Sequence, residues 1–144
     1  MDLSNSLENL KILVVEDDDD MRNFIRLSLE KYGIKNSWEA ENGKVALSLI
    51  KQQNFDLVIC DWRMPVMDGL ELFKEIRKLA NRQYMEFLMV TSVNDAEDVK
   101  TAIRSGIVNY VTKPFEPDTI YQKVLATYEE KQKRLAAGNP TWMN

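Results

Sequence analysis

The sequence predicts a doubly wound α/β domain built on one five-stranded parallel sheet. Short apolar runs recur along the chain, and their lack of polar alternation is typical of strands buried on both faces of a parallel sheet. A segment with apolar residues at helical spacing follows each run, and right-handed crossovers then place helices on both faces of the sheet. The length of 144 residues fits one such domain with a proper core.

The first strand is predicted over residues 11–15, where the apolar run stops at Glu16-Asp17. The helix after it is indicated by side chains at helical spacing, namely Phe24, Ile25, Ser28, Leu29 and Tyr32. Gly33 ends this helix, because glycine readily adopts the backbone conformation found just beyond a helix C-terminus. A weaker strand follows near residues 36–41.

The middle of the chain repeats this order of elements. Gly43 opens the second helix, whose predicted apolar face consists of Val45, Ala46, Leu49 and Ile50. The third strand covers residues 55–60 and runs into Asp61, and residues 62–69 form a loop because they contain a proline and an Asp-Gly pair. The third helix covers about residues 70–79, with four residues facing inward: Leu72, Phe73, Ile76 and Leu79.

The fourth strand covers residues 87–90 and ends in Thr91-Ser92. The fourth helix covers about residues 95–105, ends before Gly106, and is built on four residues: Ala96, Val99, Ala102 and Ile103. The fifth strand, residues 107–111, leads to Lys113-Pro114.

The last helix begins near residues 116–118, where a proline in the first turn is well tolerated. Its apolar positions are Ile120, Val124 and Tyr128. The polar run after residue 128 and the Gly-Asn-Pro break at residues 138–140 predict a domain over residues 1–128, and residues 129–144 as a helix end plus a flexible tail. Nothing in the sequence explains Trp142 and Met143 in that tail.

These five strand–helix units show no fixed repeat. The most economical arrangement is a flavodoxin-like sheet with strand order 2-1-3-4-5.

Composition excludes several classes of function. The net charge of −4 without a basic stripe argues against direct contact with nucleic acid, and no apolar run approaches the roughly 20 residues of a membrane helix. The lack of a signal peptide and the single Cys60, expected to be a buried structural thiol, predict a cytoplasmic protein. The absence of histidine removes the usual zinc sites and all catalysis that depends on histidine.

Several charged and polar residues stand where the predicted strands stop. Glu16, Asp17, Asp61, Thr91 and Lys113 should therefore meet at one edge of the sheet, where ligands bind in this class of fold. Two unit charges ~4 Å apart repel by roughly 4 kcal/mol, so the three acids must take up protons or bind a cation. Oxygen ligands of this kind suit Mg2+, and an open coordination position on the ion suits a phosphate.

The remaining groups complete a phosphate site. Lys113 offers a compact positive charge, Thr91 offers a hydroxyl, and Asp61 at the end of the middle strand is the best candidate for a nucleophile. Taken singly, Thr91 is a weak signal because threonines are common at strand ends, and Lys113-Pro114 could be an ordinary loop pair. The acids that follow Asp17 are explained by capping and by the helix dipole: Asp18, Asp19 and Asp20. The combination, rather than any one residue, carries the prediction.

These residues occur within motifs of a known family. The motifs are Glu16-Asp17, Asp61 with Met64-Pro65 and Met67-Asp68-Gly69, Thr91-Ser92, and Tyr110 with Lys113-Pro114-Phe115. Together they resemble the response-regulator receiver domain of two-component signalling, particularly the chemotaxis CheY type. The resemblance covers about residues 9–128 in the expected order and spacing.

The resemblance implies a role for each residue. Asp61 would accept a phosphoryl group from a phosphohistidine on a histidine kinase or a histidine phosphotransfer protein. Glu16, Asp17, Asp61 and the backbone carbonyl of Arg63 would hold Mg2+, Glu16 through a water molecule. Lys113 would pair with the phosphate, and its peptide bond to Pro114 would be cis.

The resemblance also implies how the signal leaves the domain. Thr91 would move toward the phosphate and Tyr110 would turn inward behind it. This change would repack the face formed by the fourth helix, the fifth strand and the fifth helix, which would then control a protein partner or form a homodimer. Such a protein is a signalling switch, and the only reactions it catalyses are its own phosphorylation and dephosphorylation.

Other functions compete with this interpretation. A flavodoxin would share the fold, but five acids at residues 16–20 occupy the loop for a flavin phosphate. A haloacid-dehalogenase-type phosphatase needs an aspartate where this chain has Arg63. A receiver that signals without phosphorylation, or the receiver part of a longer regulator, also fits the sequence. Arg63 and Val93 cannot orient a hydrolytic water as an acid or carboxamide would, which predicts slow self-dephosphorylation.

Overall fold

The computed structural model describes residues 7–82, 85–92 and 96–138. Within these residues one sheet of five parallel strands has the order β2-β1-β3-β4-β5, which confirms the predicted doubly wound arrangement. The strands are β1 (Ile12–Val15), β2 (Ser37–Ala40), β3 (Leu57–Asp61), β4 (Glu86–Thr91) and β5 (Tyr110–Thr112).

A helix follows each strand. The helices are α1 (Asp19–Lys31), α2 (Gly43–Gln52), α3 (Gly69–Lys78), α4 (Ala96–Arg104) and α5 (Pro117–Ala136). Side chains cap three of the N-termini: Asp18 accepts the Met21 N–H, Asn42 accepts the Val45 N–H, and Asp68 forms a capping box with Glu71. None of the helices in the described ranges is both long enough and apolar enough to cross a membrane.

The sheet separates two cores, because alternate residues of each strand point to opposite faces. On β1, Leu13 and Val15 pack into the core beneath α2, α3 and α4, whereas Ile12 and Val14 pack into the core beneath α1 and α5. All four side chains are fully buried. Cys60 is also fully buried in the first of these cores, as the sequence predicts.

Two predicted helix faces are wrong in detail. In α2, Val45 is exposed and Leu47 takes its place in the core, while α4 buries Ala102 but leaves Ile103 63% exposed. The physical reason is that periodicity identifies an apolar stripe but does not fix which edge of the stripe faces the sheet. A short helix such as α4 needs only a narrow strip of contact.

The last helix continues to Ala136. Near its C-terminus, Arg134 forms an ion pair with Glu86, a buried residue at the start of β4. The domain boundary at residue 128 stays a prediction. Trp142, Met143 and Val93 lie outside the described residues.

Candidate functional site

The strand ends bring the predicted residues together at the carboxyl edge of the sheet. Glu16 follows β1, Asp61 ends β3, Thr91 ends β4 and Lys113 follows β5. The register aligns these ends: Val15 pairs with Cys60, Asp61 with Val90, and Thr91 with Thr112. The backbone of β5 is joined here to β4, because the Lys113 N–H donates to the Thr91 carbonyl at 2.9 Å.

Lys113 contacts two of the acidic side chains. Its Nζ atom lies 3.0 Å from Oε1 of Glu16 and 3.4 Å from Oδ2 of Asp61. Both carboxylates are largely buried, and the lysine side chain is itself 19% exposed. One positive charge is therefore shared between two carboxylates.

Asp17 completes the acidic cluster. One carboxylate oxygen from each of Glu16, Asp17 and Asp61 lies within 4.8 Å of the others. Glu16 and Asp61 are buried, whereas Asp17 is exposed and leaves the cluster open to solvent. Oε2 of Glu16 is buried and has no hydrogen-bond partner among the described residues. Such an oxygen, next to two further carboxylates, fits a hard divalent cation.

Burial and the nearby charges shift the pKa values of Glu16 and Lys113. Burial, followed by the hydrogen bond and charge of Asp61, raises the pKa of Glu16 to about 8, although Lys113 acts in the opposite direction. For Lys113, burial lowers the pKa, but the hydrogen bond to Glu16 and the charges of Asp61 and Glu16 outweigh burial and raise it. Lys113 therefore stays charged, and the metal-free cluster retains a proton near neutral pH.

The loop after Asp61 is held by close backbone contacts. Oδ1 of Asp61 accepts the Trp62 N–H at 2.8 Å, and the Gly69 N–H donates to the Trp62 carbonyl at 2.8 Å. A Cβ atom on Gly69 would lie 2.3 Å from the Asp61 carbonyl oxygen, so only glycine fits there. Val66 in this loop has a φ of 73° and is 72% exposed, an unfavourable conformation for a β-branched residue.

The proposed switch residues lie on β4 and β5, the two strands that follow β3 in the sheet. Thr91 is almost fully buried, and Tyr110 is partly buried on β5. Burial, followed by the charge of Asp98, raises the pKa of Tyr110. The Lys113-Pro114 peptide bond is cis, as the resemblance implied.

Sequence reasoning missed two residues that contact this site. Nη1 of Arg22 donates to the Glu16 carbonyl at 2.8 Å, and its Nη2 atom lies 2.6 Å from Oδ1 of Asp19. Helical spacing could have paired Arg22 with Asp19. Asp98, whose Oδ2 atom lies 2.7 Å from Nη2 of Arg63, gives no such signal because the two residues are far apart in the chain.

The acids that follow Asp17 are partly explained by the local roles predicted for them. Asp18 caps α1 and Asp19 pairs with Arg22, so these carboxylates support the first turn of the helix. They are exposed and lie outside the Glu16–Asp17–Asp61 cluster.

The fold and this site define a receiver-type domain: a parallel α/β sheet with acids, a hydroxyl and a lysine at its carboxyl edge. The family model described as "Response regulator receiver domain" matches residues 12–125. The chain therefore belongs to the response-regulator receiver family, whose members are signalling switches rather than conventional enzymes. This result favours the receiver over the flavodoxin and the phosphatase that share features with it.

Two curated relatives of this chain are chemotaxis proteins. The chain is 35% identical to the chemotaxis protein CheY-3 of Vibrio cholerae over 122 residues, which cover 85% of this chain and 94% of the relative. It is 38% identical to a chemotaxis protein CheY homolog of Campylobacter jejuni over 116 residues, which cover 80% of this chain and 89% of the relative.

A solved structure supports the fold assignment. A CheY-like response regulator receiver domain protein from Methanospirillum hungatei superposes with a TM-score of 0.79 at 29% identity, covering 88% of this chain and 99% of that chain.

Proposed function

We propose that this protein is a phosphoacceptor receiver in which Asp61 takes a phosphoryl group from a histidine kinase or a histidine phosphotransfer protein. The observation that carries the proposal is the cluster of Glu16, Asp17 and Asp61 with Lys113 at 3.0 Å from Glu16 and 3.4 Å from Asp61. Residues 1–144 contain no histidine, so the donor phosphohistidine lies outside them.

The transfer exchanges one bond to phosphorus for another. A carboxylate oxygen of Asp61 attacks phosphorus, the bond between phosphorus and the donor imidazole nitrogen breaks, and the imidazole leaves with that electron pair. Lys113, which is charged and already within reach of Asp61, neutralises the phosphoryl oxygens as they arrive. The product is an acyl phosphate on Asp61.

The acidic residues hold a cation for this step. Glu16, Asp17, Asp61 and the backbone carbonyl of Arg63 are the proposed ligands, and the orphaned Oε2 of Glu16 supports this assignment. Bound Mg2+ would supply positive charge that offsets repulsion between the carboxylates and the incoming phosphoryl group.

The output is a change of shape on the face formed by α4, β5 and α5. Moving a two-state equilibrium from 1:99 to 99:1 takes about 5.5 kcal/mol, whereas one charge-assisted hydrogen bond contributes only about 1.5–3 kcal/mol. Thr91, Lys113 and the cation therefore act together, with Tyr110 as the residue that repacks. Ile103 on α4 and Val108 in the segment before β5, each 63% exposed, would offer apolar contacts at this face to a protein target or a second copy of the chain.

An intact-mass experiment tests the proposed function. Incubation with acetyl phosphate and Mg2+ should add about 80 Da, the mass of one phosphoryl group. Asp61→Asn should gain no adduct, and removal of Mg2+ by a chelator should abolish the adduct on the wild-type protein. An adduct of equal yield on Asp61→Asn would contradict the proposal, and no adduct under any condition would favour a receiver that signals without phosphorylation.

The cellular setting stays a prediction. We expect a cytoplasmic protein, and the downstream partner is expected to be a protein rather than nucleic acid or membrane. The domain limits of residues 1–128 are likewise proposed rather than measured.

A further inference from the structure

Arg63 connects the phosphoacceptor loop to helix α4. It is the second residue after Asp61, and its Nη2 atom lies 2.7 Å from Oδ2 of Asp98 in the first turn of α4. The two side chains are 57% and 38% exposed, so the contact lies at the surface and both charges remain accessible to other partners.

One further contact and one electrostatic effect belong to this connection. The guanidinium carbon of Arg63 lies 4.9 Å from the ring centroid of Trp62, whose indole is buried next to Asp61. The charge of Asp98 also reaches Tyr110, where it adds to the effect of burial in raising the pKa of the phenol. Asp98 is therefore electrostatically linked both to the residue that follows the phosphoacceptor and to the proposed switch tyrosine.

We propose that Arg63 links the loop after Asp61 to α4 by its ion pair with Asp98 in the unphosphorylated protein. When Asp61 carries a phosphoryl group, the Arg63 guanidinium leaves Asp98 and binds the phosphoryl oxygens instead. This inference rests on the proposed function and names the regulation of the same site. The exchange releases Asp98 and α4, so the arrival of a phosphoryl group loosens the face that meets the partner.

The direction of the exchange follows from charge and geometry. A phosphoryl group brings about −1.5 to −2 charges, compared with a single charge on Asp98. A guanidinium also binds phosphate oxygens through two parallel N–H donors, which an exposed contact with one carboxylate oxygen does not match. The long arginine side chain therefore has a stronger partner once Asp61 is modified.

The expected size of the effect is modest. Exposed ion pairs change an equilibrium by about 1.4- to fivefold. Variants of the Arg63–Asp98 pair should change the measured rates by a factor in that range. Loss of the cation or of Lys113, by contrast, should abolish phosphorylation.

The test measures phosphorylation rates by intact mass with acetyl phosphate and Mg2+. Asp98→Asn frees Arg63 and should raise the rate about two- to fivefold. The same substitution in an Arg63→Gln background should accelerate the reaction much less, because the part of its effect that depends on Arg63 is already lost. If Asp98→Asn accelerates the reaction equally in both backgrounds, Asp98 acts by long-range charge alone and the link is overturned.

A neighbouring acid supplies the matched control. Glu97 is also in the first turn of α4, and one of its carboxylate oxygens lies 3.6 Å from Nζ of Lys100 in the same helix. Glu97→Gln removes the same charge from the same turn and should leave the rate unchanged. Asp98→Glu keeps the charge and should be phosphorylated at the wild-type rate. This variant keeps the test informative if Asp98→Asn fails to fold.

Hydrogen exchange of the α4 amides gives a second readout. Phosphorylation of the wild-type protein should speed exchange in α4 about 1.4- to fivefold, and unphosphorylated Asp98→Asn should already exchange at the faster rate, unlike Glu97→Gln. Equal exchange of α4 before and after phosphorylation would overturn the link. Absence of an adduct in every variant would instead overturn the proposed function, and the link with it.

Discussion

Two buried glutamates at opposite edges of the sheet have the same exposure and different surroundings. Glu16 follows β1 at the carboxyl edge and Glu86 begins β4 at the other edge, and each is 2% exposed. Glu86 pairs with Arg134. Glu16 shares Lys113 with Asp61 and has one oxygen without a hydrogen-bond partner among the described residues.

The two edges of the sheet differ in their balance of charge. At the amino edge an opposite charge contacts the buried carboxylate, and the pair fastens the end of α5 to β4. At the carboxyl edge the negative charge exceeds the positive charge, and the pKa of Glu16 rises to about 8 as a result of burial and of the nearby Asp61. We propose that a cation and a phosphoryl group supply the charge and the ligand that complete this edge.

The largest expected effect comes from breaking the pair at the amino edge. Arg134→Met leaves Glu86 buried without its partner and should lower the free energy of unfolding by about 3 kcal/mol. Urea unfolding measures this loss, and the double variant Glu86→Met/Arg134→Met should recover most of it. Phosphorylation by acetyl phosphate at low temperature should be unaffected. A loss below about 0.5 kcal/mol would show that the pair contributes no more than an exposed one.

Removing the glutamate at the carboxyl edge should have the opposite effect on stability. Glu16→Gln removes a carboxyl group whose ionisation is opposed first by burial and then by Asp61, so the metal-free protein should gain about 1–3 kcal/mol in free energy of unfolding at pH 7. The same change should weaken Mg2+ binding, because one ligand charge is lost. If Glu16→Gln is destabilised instead, the ion pair between Glu16 and Lys113 in the wild-type protein outweighs the repulsion between Glu16 and Asp61.

The pH dependence of stability should separate the two edges further. The pKa of Glu16 is about 8 in the folded protein and ordinarily 4.5, so the native state binds more protons between these values. Stability of the metal-free protein should therefore fall as pH rises from 5 to 8, by at most about 1.4 kcal/mol per pH unit. Lys113 does not titrate in this window, because its pKa is raised above 10.5.

The control for the fall in stability between pH 5 and 8 is Glu16→Gln, which should not show the part of the fall that comes from Glu16. The wild-type protein saturated with Mg2+ should not show it either. Urea unfolding at several pH values measures all three. A wild-type slope that matches the variant would mean that Glu16 is ionised throughout the range.

The smallest expected effect is on the rate at which the acyl phosphate is lost, and it comes from Arg63 at the carboxyl edge. Arg63 is the second residue after Asp61, the proposed phosphoacceptor, and it lacks the carboxamide with which asparagine would orient a hydrolytic water. Arg63→Asn should lose the acyl phosphate about two- to fivefold faster than the wild-type protein, as followed by intact mass after removal of the donor. Unchanged or slower loss would contradict this role of Arg63.

The sequence was sufficient to predict the carboxyl edge because of how parallel sheets are built. Each strand end could be located from its own apolar run, and the fold then brings all such ends to one edge, so Glu16, Asp61, Thr91 and Lys113 could be grouped without long-range information. The helix faces were harder to predict, since Ile103 fits an apolar stripe but is exposed.

Pairs between distant residues could not be predicted. Arg63 and Asp98 are 35 residues apart, and Glu86 and Arg134 are 48 apart. Nothing in the local pattern marks either pair, because a charged residue near a helix end is usually solvated or serves the helix dipole. Only the tertiary packing selects their partners.

Calorimetric titration of Mg2+ at pH 7, repeated in two buffers of different ionisation enthalpy, tests the central claim most directly. If the carboxyl edge holds a proton until a cation replaces it, the wild-type protein should bind one Mg2+ and release about one proton. Glu16→Gln should bind Mg2+ more weakly and release almost none. Binding without proton release by the wild-type protein, or no binding at all, would contradict the account.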